Sequence, residues 1–421
     1  MEIKKIKLAE INPAFYNPRI DLKPGDPEYE KLKRSIGEFG FLEPIVVNLR
    51  TKRIISGHQR VKVLQEQGID EIEAVTVDFS EEKEKAANLA LNKVRGSWDF
   101  GKLTALLDEL CKLPDFDTDI IGFDKTEISQ IFDRYGEEKD ADDFNFDATL
   151  ESIKEPVTQK GDLIQLGVHR ILCGDSTVLD NVTLLMGQEK VHLVNMDPPY
   201  NIGYLGGNRP NPKKARPKRS RDWDRIYSDN LTQENYEELL KKTFTNMDKF
   251  LIPGCSFYIW NGHYQFAPMH RLLTELNYHI GCVITWAKPN FAISYGDYHQ
   301  QTEFCLYGWK SDEKHRWFGG VGESSLWEVR RDPTSQYLHP TQKPCELAAR
   351  AIRNSSQRGE IVLDMFLGSG STLIACEMLN RSCFGIELDP RYCDVIVKRY
   401  IDFVGVNKIS DGIRKKYLQE V

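Results

Sequence analysis

The chain has 421 residues, of which 40% are hydrophobic and 28% are charged, and its formal net charge at pH 7 is -7. This length predicts two or three domains, and the composition is that of a soluble globular protein rather than a disordered, fibrous or membrane protein. Nine cysteines occur singly, without a Cys-x-x-Cys pair or histidines at zinc spacing, which indicates reduced structural thiols and no metal site. The first residues contain no apolar signal region, so we expect a cytoplasmic protein without a membrane partner.

The first hundred residues have the pattern of a small α/β domain. The apolar runs Ile45–Val47 and Arg53–Ile55 predict two strands, and a helix is predicted from Arg60 to Gln67. The turn between strand and helix reads Gly57-His58-Gln59-Arg60. Free amides at a helix start, the helix dipole and an arginine together suit an anion.

Several motifs in this region resemble the ParB and sulfiredoxin nuclease-like fold over about residues 3–100, namely Asn17-Pro18-Arg19, Gly40-Phe41, Pro44 to Val47 and Ile54 to Arg60. The resemblance implies that Gly57, His58, Gln59 and Arg60 hold phosphates, so a nucleoside triphosphate is a candidate ligand. An equally open alternative is that this turn binds a phosphate of the DNA backbone or only caps a helix. His58 stands where a sulfiredoxin has its reactive cysteine, which argues against reductase chemistry. No long basic helix-turn-helix follows, which argues against a complete partition protein.

After this ParB-like domain, leucines at helical spacing predict a helical segment over residues 101–136. Six acidic residues and one basic residue over positions 137–147 favour solvation, and we place a linker at 137–150. From residue 151 to 421, β-type runs alternate with helical stretches, which is typical of a largely parallel sheet with helices on both faces. The predicted strands are Ile164–Cys173, Val191–Met196, Ser256–Trp260, Ile280–Trp286, Phe304–Tyr307, Ile361–Phe366 and Cys383–Glu387.

One of these strands ends directly in Asp197-Pro198-Pro199-Tyr200. Two prolines alone would indicate only a strand that stops at a loop. The full tetrapeptide adds hydrogen-bond acceptors for an exocyclic amino group and a ring on which a flipped base can stack. We therefore expect Asp197 and the Pro198 carbonyl to accept hydrogens and Tyr200 to stack.

A basic segment follows this motif, with eight basic residues, two acidic residues and three prolines over positions 209–225. A charge run usually indicates only a solvated loop. Its place next to the tetrapeptide favours contacts with DNA phosphates, which would make the affinity salt-dependent. The predicted DNA-binding residues are Lys213, Lys214, Arg216, Lys218, Arg219 and Arg221.

Residues 361–380 predict a buried strand, a glycine turn and a helix. The next strand ends in Glu387, 23 positions after Asp364, where an acid binds ribose hydroxyls in nucleoside-binding folds. The dinucleotide pattern Gly-x-Gly-x-x-Gly and a P-loop lysine are absent, which favours a ligand without a phosphate chain. S-adenosylmethionine fits, with its nucleoside on Glu387 and its methionine tail at the loop. The predicted loop residues are Asp364, Phe366, Gly368, Ser369 and Gly370.

Four motifs over about residues 158–403 resemble the DNA amino-methyltransferases in which the catalytic motif precedes the cofactor motif, namely Leu172 to Asp175, Asp197 to Tyr200, His339 to Pro344 and Asp364 to Gly370. The resemblance implies a Rossmann-like sheet and methyl transfer from S-adenosylmethionine to a flipped base in double-stranded DNA. It also implies that Thr341 and Lys343 lie near the methionine end of the cofactor, and that Asp175 helps to hold the adenosine or the target base. Aspartate rather than serine at position 197 favours adenine N6.

Alternatives stay open from the sequence. The enzyme could act on cytosine N4, or on RNA or a protein amide, although Asp197 disfavours a protein amide. The chain could instead be a ParB-like DNA-binding regulatory protein with a degenerate methyltransferase domain, against which the intact Asp197, Tyr200, Asp364 and Glu387 count. The oligomeric state is open, and a homodimer is one candidate. The stretch between Tyr307 and His339, where the family keeps target recognition, is short, and the recognised sequence cannot be read from it.

Overall fold

Two units, residues 1–137 and 138–421, make up the chain in a computed structural model. The structure describes residues 2–41, 43–93, 98–114, 116–135, 144–201, 230–292, 297–310, 314–320, 322–329 and 343–418. Within these ranges no helix has the length and apolar character needed to cross a membrane.

The first unit is a small α/β domain followed by two helices. Its elements are β1 (Glu2–Lys7), β2 (Asn12–Pro13), α1 (Pro27–Phe39), β3 (Ile45–Asn48), β4 (Arg53–Ser56), α2 (His58–Glu66), β5 (Glu71–Val77), α3 (Glu81–Asn92), α4 (Phe100–Cys111) and α5 (Lys125–Tyr135). The strands form one sheet in the order β1-β5-β3-β4-β2. Both predicted strands are confirmed, and α2 begins two residues earlier than predicted, directly after the turn at Gly57.

A buried carboxylate joins separate segments of this first unit. Glu84 of α3 is fully buried and accepts hydrogen bonds from the Tyr16 hydroxyl at 2.5 Å, the Asn48 amide at 2.5 Å and the Thr51 hydroxyl. Burial and the bond to Glu84 raise the pKa of Tyr16, which keeps the phenol protonated as a donor. The buried charge is therefore held by several donors, as burial of an ionised group requires.

The second unit is built on a nine-stranded sheet in the order β12-β10-β11-β9-β8-β13-β14-β7-β6. Its elements are α6 (Phe146–Ser152), β6 (Leu163–Leu166), β7 (His169–Cys173), α7 (Leu179–Met186), β8 (Val191–Met196), α8 (Gln233–Asp248), β9 (Leu251–Asn261), α9 (Phe266–Glu275), β10 (Tyr278–Ala292), β11 (Gln300–Lys310), β12 (Leu326–Trp327), α10 (Cys345–Ser355), β13 (Ile361–Asp364), α11 (Ser371–Met378), β14 (Ser382–Glu387), α12 (Pro390–Val404) and α13 (Asp411–Tyr417).

The centre of this sheet is parallel and its flanks are partly antiparallel. β9, β8, β13, β14 and β7 run in one direction, which confirms the predicted parallel sheet for the centre. β6 and β11 are antiparallel to the strands beside them. The single strand predicted from Ile164 to Cys173 is instead the hairpin of β6 and β7, whose turn contains Gly167 at a φ of 57°. Apolar residues flank that turn on both sides, so hydrophobicity alone did not reveal it.

Helices cover both faces of the central strands. α10, α11 and α12 pack on a core that includes Ile171 and Val362, and α7, α8 and α9 pack on a core that includes Leu172 and Leu363. Neighbouring residues of one strand belong to opposite cores because side chains alternate along a strand. Burial on both faces explains why these strands are continuously apolar.

Gly308 of β11 has no room for a methyl group. A Cβ atom there would lie 2.0 Å from the carbonyl oxygen of His279 and 2.5 Å from Cζ of Phe257. We expect Gly308→Ala to lower the free energy of unfolding of the second unit by about 2 to 3 kcal/mol, because the backbone has to move. Gly322→Ala is the control, since a Cβ atom there has no neighbour within 4 Å. Denaturant unfolding followed by tryptophan fluorescence measures both, and equal midpoints for the two variants would contradict the expectation.

Candidate active site

Four acidic residues lie at one edge of the nine-stranded sheet. Asp175 follows β7, Glu387 ends β14, Asp364 ends β13 and Asp197 follows β8. These four strands are neighbours and parallel, so their carboxyl ends meet at the same edge. In open α/β sheets this edge is where ligands bind. The structure thus brings together acids that the sequence analysis selected from four separate segments, namely three motifs and the strand that ends in Glu387.

A glycine turn joins β13 to α11. Asp364 anchors the turn, because its carboxylate accepts from the backbone N–H of Phe366 at 3.0 Å and from the Thr372 hydroxyl at 2.7 Å. Gly368 and Gly370 adopt φ angles of 53° and 79°, a left-handed conformation that favours glycine. A Cβ atom on Gly370 would lie 3.0 Å from Cγ2 of Ile396, so close packing also excludes a side chain there.

Glu387 lies across from this turn and is bonded to it. One carboxylate oxygen accepts from the backbone N–H of Gly368 and the other from that of Asp389, both at 2.9 Å. The Glu387 carbonyl accepts from the N–H of Gly174 at 2.9 Å, which brings Asp175 beside it. The Asp175 carboxylate in turn accepts from the N–H and the hydroxyl of Thr177 at 2.8 and 2.7 Å.

Burial shifts the protonation of two of these acids. It raises the pKa of Asp364 and that of Glu387 to about 7 each, even though hydrogen bonds from Thr372 and from backbone amides favour the charged forms. Both carboxyls therefore take up protons at a pH where an exposed carboxyl is ionised. A ligand that donates hydrogen bonds to them favours their ionised forms.

Asp197 is held by an ammonium group rather than by backbone amides. Nζ of Lys343 lies 2.5 Å from Oδ2 of Asp197. The other carboxylate oxygen, Oδ1, is buried and has no hydrogen-bond partner in the part of the chain that the structure describes. Burial raises the pKa of Asp197, and the charge of Lys343 opposes that rise. One oxygen of this carboxylate is thus engaged and the other is left to accept a donor.

The other residues of the tetrapeptide are packed closely. The Tyr200 hydroxyl accepts from Lys343 at 2.8 Å and donates to Glu303 at 3.2 Å. The Tyr200 ring packs on the backbone at Gly262, where a Cβ atom would lie 3.2 Å from Cδ2 of the ring. Pro198 is buried, and the Pro199 carbonyl accepts from the Tyr236 hydroxyl at 2.7 Å. The ring and the carboxylate therefore have defined positions.

Two contacts connect this motif to the glycine turn. The Ser371 hydroxyl donates to the carbonyl of Lys343 at 3.1 Å. The Asn195 side chain, in the strand before Asp197, donates to Thr372 at 2.9 Å, and Thr372 donates to Asp364. Asn195 was missed in the sequence analysis, although a buried asparagine within an otherwise apolar strand is a signal that could have found it.

Of the other predicted site residues, Ser369 lies within the described part of the chain, and several others lie outside it. The Ser369 hydroxyl lies 3.0 Å from that of Ser371, and the Ser369 carbonyl accepts from Arg399 at 2.6 Å. Thr341 lies outside the described residues. The predicted DNA-binding residues Lys213, Lys214, Arg216, Lys218, Arg219 and Arg221 also lie outside them.

The turn before α2 in the first unit is tied to its own domain. Gly57 has a φ of 102°, and His58 accepts from the backbone N–H of Ala14 at 3.1 Å. Burial lowers the pKa of His58 to about 4, so the ring is neutral at pH 7. The Gln59 amide donates to the Ile20 carbonyl at 3.2 Å. The Arg60 guanidinium donates to the Glu43 carbonyl at 2.7 Å and pairs with the Glu43 carboxylate at 2.8 Å.

Two known protein families match parts of this chain, one in each unit. Residues 191–398 match the DNA methylase family, and residues 1–93 match the ParB N-terminal domain. The chain joins a DNA methylase domain of the N6/N4 type to a ParB N-terminal domain. Three of the four acids at the sheet edge, Asp197, Asp364 and Glu387, thus lie within the DNA methylase match, and the turn at Gly57 lies within the ParB N-terminal match.

The segment between them is a third matched region. Residues 101–160 match a ParB-methyltransferase helix-turn-helix domain. This corrects the sequence analysis, which described residues 101–136 only as helical and found no long basic helix-turn-helix. The helices α4 and α5 carry charges of both signs, so the basic character used as a criterion was absent.

Two curated relatives and one solved structure illustrate the similarity of the DNA methylase domain. The chain is 30% identical over 179 residues to the Type II methyltransferase M2.MboI of Moraxella bovis, which covers 38% of this chain and 65% of that relative. It is 25% identical over 270 residues to the Type II methyltransferase M.HpaI of Haemophilus parainfluenzae. That alignment covers 59% of this chain and 79% of the relative. The structure of the cytosine-N4-specific PvuII DNA methyltransferase aligns at a TM-score of 0.44 and 19% identity, covering 63% of this chain and 95% of that one.

The raised pKa of Glu387 predicts a dependence of stability on pH. Its pKa in the folded chain, about 7, lies above its ordinary value of 4.5, so the protonated carboxyl stabilises the fold fully below about pH 4.5 and this contribution is lost as the pH rises to 7. We expect the wild type to lose free energy of unfolding more steeply than Glu387→Gln between pH 5 and 7, by about 1 kcal/mol per pH unit.

Denaturant unfolding at pH 5, 6, 7 and 8 measures this difference. Glu323→Gln is the control, because it removes a different carboxylate, paired with Arg350 at 2.9 Å, from the same unit. That variant is expected to keep the wild-type slope over this range. Parallel curves for the wild type and Glu387→Gln would show that Glu387 does not take up the proton.

Proposed function

We propose that the chain is a site-specific DNA methyltransferase that transfers a methyl group from S-adenosylmethionine to adenine N6 of a base flipped out of duplex DNA. The observation that carries this proposal is the buried oxygen Oδ1 of Asp197, which has no partner among the described residues while Oδ2 is held by Lys343. A buried acceptor without a donor is costly. An exocyclic amino group supplies the missing donor.

The tetrapeptide fits the amino group of a flipped base. Accepting one amino hydrogen at Asp197, and a second at the Pro198 carbonyl, would turn the nitrogen lone pair toward the methyl donor. The Tyr200 ring, held at its hydroxyl by Lys343 and Glu303, offers a face for stacking. The chain contributes by alignment rather than by a covalent intermediate, and alignment is a large part of catalysis in such reactions.

The residues of the glycine turn fit S-adenosylmethionine. The left-handed Gly368 and Gly370 turn the chain into the start of α11, and Glu387, with Asp175 beside it, can accept hydrogen bonds from ribose hydroxyls. When bound, the sulfonium supplies an already activated methyl group. We propose that Asp364, Phe366 and Ser369 line this part of the site, with Thr341 and Lys343 toward the methionine end.

Duplex DNA is the proposed substrate. The relatives' names describe Type II methyltransferases, and the helix-turn-helix match at residues 101–160 supports contact with DNA. We propose that the basic residues between Lys213 and Arg221 neutralise phosphates next to the site. Aspartate at position 197 favours adenine N6, and cytosine N4 is the alternative that product analysis has to separate.

The ParB N-terminal domain is proposed to hold a phosphate at Gly57 to Arg60, either of a nucleotide or of the DNA backbone. Support comes from the start of α2 directly after Gly57, with Arg60 partly exposed there. We expect Arg60→Ala to abolish any binding of CTP or ATP by the full chain, as measured by calorimetry. Arg50→Ala is the control, since it removes a different arginine, paired with Asp78 at 2.7 Å, from the turn between β3 and β4. If the wild type binds neither nucleotide, the DNA-phosphate interpretation remains.

Asp197→Ala is expected to lower methyl transfer at least about 100-fold, because the acceptor that orients the amino group is lost. Cofactor affinity is expected to fall by no more than about tenfold, since Asp197 bonds only to Lys343 at the proposed methionine end among the proposed cofactor residues described, whereas Glu387 and Asp175 are held by backbone N–H groups. The assay incubates unmethylated, heterogeneous duplex DNA with isotope-labelled cofactor and analyses the nucleosides by mass spectrometry. N6-methyladenine is the expected product, and N4-methylcytosine would select the alternative.

Asp248→Asn is a closely matched control for Asp197. Asp248 also pairs with a lysine, Lys310, at 2.6 Å and accepts from a tyrosine hydroxyl, that of Tyr278, at 2.8 Å. It ends α8, away from the carboxyl ends of the parallel strands, so transfer is expected to persist in this variant. Equal losses in both variants would indicate unfolding, and full activity of Asp197→Ala would remove Asp197 from the reaction.

A further inference from the structure

Glu303 of β11 belongs to no motif identified in the sequence, yet its side chain reaches the catalytic tetrapeptide. The antiparallel register places Glu303 opposite Trp286 of β10, and Cys305 opposite Trp260 of β9. Side chains of directly paired residues, and those two positions along a strand, lie on the same face of a sheet. Lys288, two residues after Trp286, is therefore on the same face as Glu303.

The Glu303 carboxylate makes three polar contacts. One oxygen, Oε1, pairs with Nζ of Lys288. The other, Oε2, lies 3.1 Å from Nζ of Lys343 and accepts from the Tyr200 hydroxyl at 3.2 Å. Only 18% of the Glu303 side chain is exposed, compared with 15% for Lys288 and 11% for Lys343. Contacts this well buried are screened little by solvent.

The cluster balances its charges. Two carboxylates, Asp197 and Glu303, face two ammonium groups, Lys343 and Lys288. In spite of burial, the two ammonium groups lower the pKa of Glu303 to about 2, so this carboxylate is ionised. Burial lowers the pKa of Lys343, but the carboxylates of Asp197 and Glu303 outweigh this effect and raise the pKa of Lys343 above its ordinary value. The charge on Lys343 is thus shared between two carboxylates.

The geometry of Lys343 shows what Glu303 contributes. An ammonium group has three hydrogens. Among the residues that the structure describes, three oxygens contact Nζ, namely Oδ2 of Asp197, the Tyr200 hydroxyl and Oε2 of Glu303. Without Glu303, one donor of Lys343 would turn to another acceptor, and Oδ1 of Asp197 is a buried acceptor without a partner in the described chain.

We propose that Glu303, itself held by Lys288, is a positioning residue for methyl transfer. It keeps the Lys343 ammonium and the Tyr200 hydroxyl in place, so that Oδ1 of Asp197 stays available to the target amino group. This role rests on the proposed function of the sheet edge, and it applies equally to adenine and to cytosine as the target.

Two variants test the role of charge separately from that of shape. Glu303→Gln keeps the size of the side chain but leaves the cluster with one excess positive charge. It is expected to lower kcat about 10- to 100-fold, while KM for the cofactor changes by less than about threefold. The double variant Glu303→Gln with Lys288→Met restores the charge balance and is expected to recover about tenfold in kcat over Glu303→Gln alone, because the two sites are coupled.

Glu360→Gln serves as the matched control, since Glu360, with 15% of its side chain exposed, pairs with Arg316 outside the cluster, and this variant is expected to leave kcat unchanged. Thermal midpoints of all variants are measured in parallel. An unchanged kcat in Glu303→Gln overturns the proposal. So does the absence of any recovery in the double variant, because a merely structural role would make the second substitution additive.

Crystal structures, which need no enzyme turnover, test the positioning role of Glu303 independently of the proposed function. If the wild type transfers no methyl group to DNA, the proposed function fails, and the positioning role is then decided by crystal structures of the wild type and Glu303→Ala. We expect the Lys343 ammonium or the Tyr200 hydroxyl to move by about 1 Å or more in the variant, a displacement large enough to impair catalysis. Unchanged positions of both groups overturn the positioning role.

Discussion

The common direction of β7, β14, β13 and β8 is the constraint on which the site depends. It places four carboxyl groups at one edge of the sheet, where burial raises the pKa of three of them, Asp197, Asp364 and Glu387. Three of the four accept backbone N–H groups, namely those of Thr177, Phe366 and Gly368, which are supplied by the loops that follow the strands. The fold therefore supplies both the acids and most of the donors that hold them.

Asp197 is the exception, because an ammonium group from a distant part of the chain holds it. The pair is partly buried, with 11% of the Lys343 side chain and 34% of the Asp197 side chain exposed, so the loss of one partner leaves a charge that solvent reaches only in part. The pair with Lys343 therefore resists rearrangement as long as Glu303 and Tyr200 occupy the remaining donors. A rigid pair leaves one oxygen of this carboxylate, Oδ1, for the amino group that we propose as its donor. This arrangement separates the oxygen that is held from the oxygen that can bind.

Sequence reasoning found the parts of the site that follow directly after strands, because a motif at a strand end needs no knowledge of pairing. Asp197, Asp364 and Glu387 were selected in this way. Glu303 and Lys288 were not, because each looks like an ordinary polar residue in a strand. The register of β10 with β11 brings Lys288 to Glu303, and Glu303 contacts Tyr200. The helix-turn-helix match at residues 101–160 was missed for a different reason, since its helices lack a basic excess. At Gly57 the turn was found, but the bond of His58 to Ala14 depends on a tertiary contact.

The link between the glycine turn and the catalytic motif follows from where α11 begins. Its first two residues bond to different parts of the site. The Ser371 hydroxyl donates to the Lys343 carbonyl. The Thr372 hydroxyl donates to Asp364 and accepts from the Asn195 side chain. A shift of this helix start would disturb the backbone of Lys343 and the strand before Asp197 together. The turn that we propose to hold the cofactor and the strand that leads to Asp197 are thus parts of one hydrogen-bonded unit. A network of this kind loses more free energy when it is partly broken than the loss of one bond alone suggests. The precision that methyl transfer requires then comes from this helix start rather than from the tetrapeptide alone.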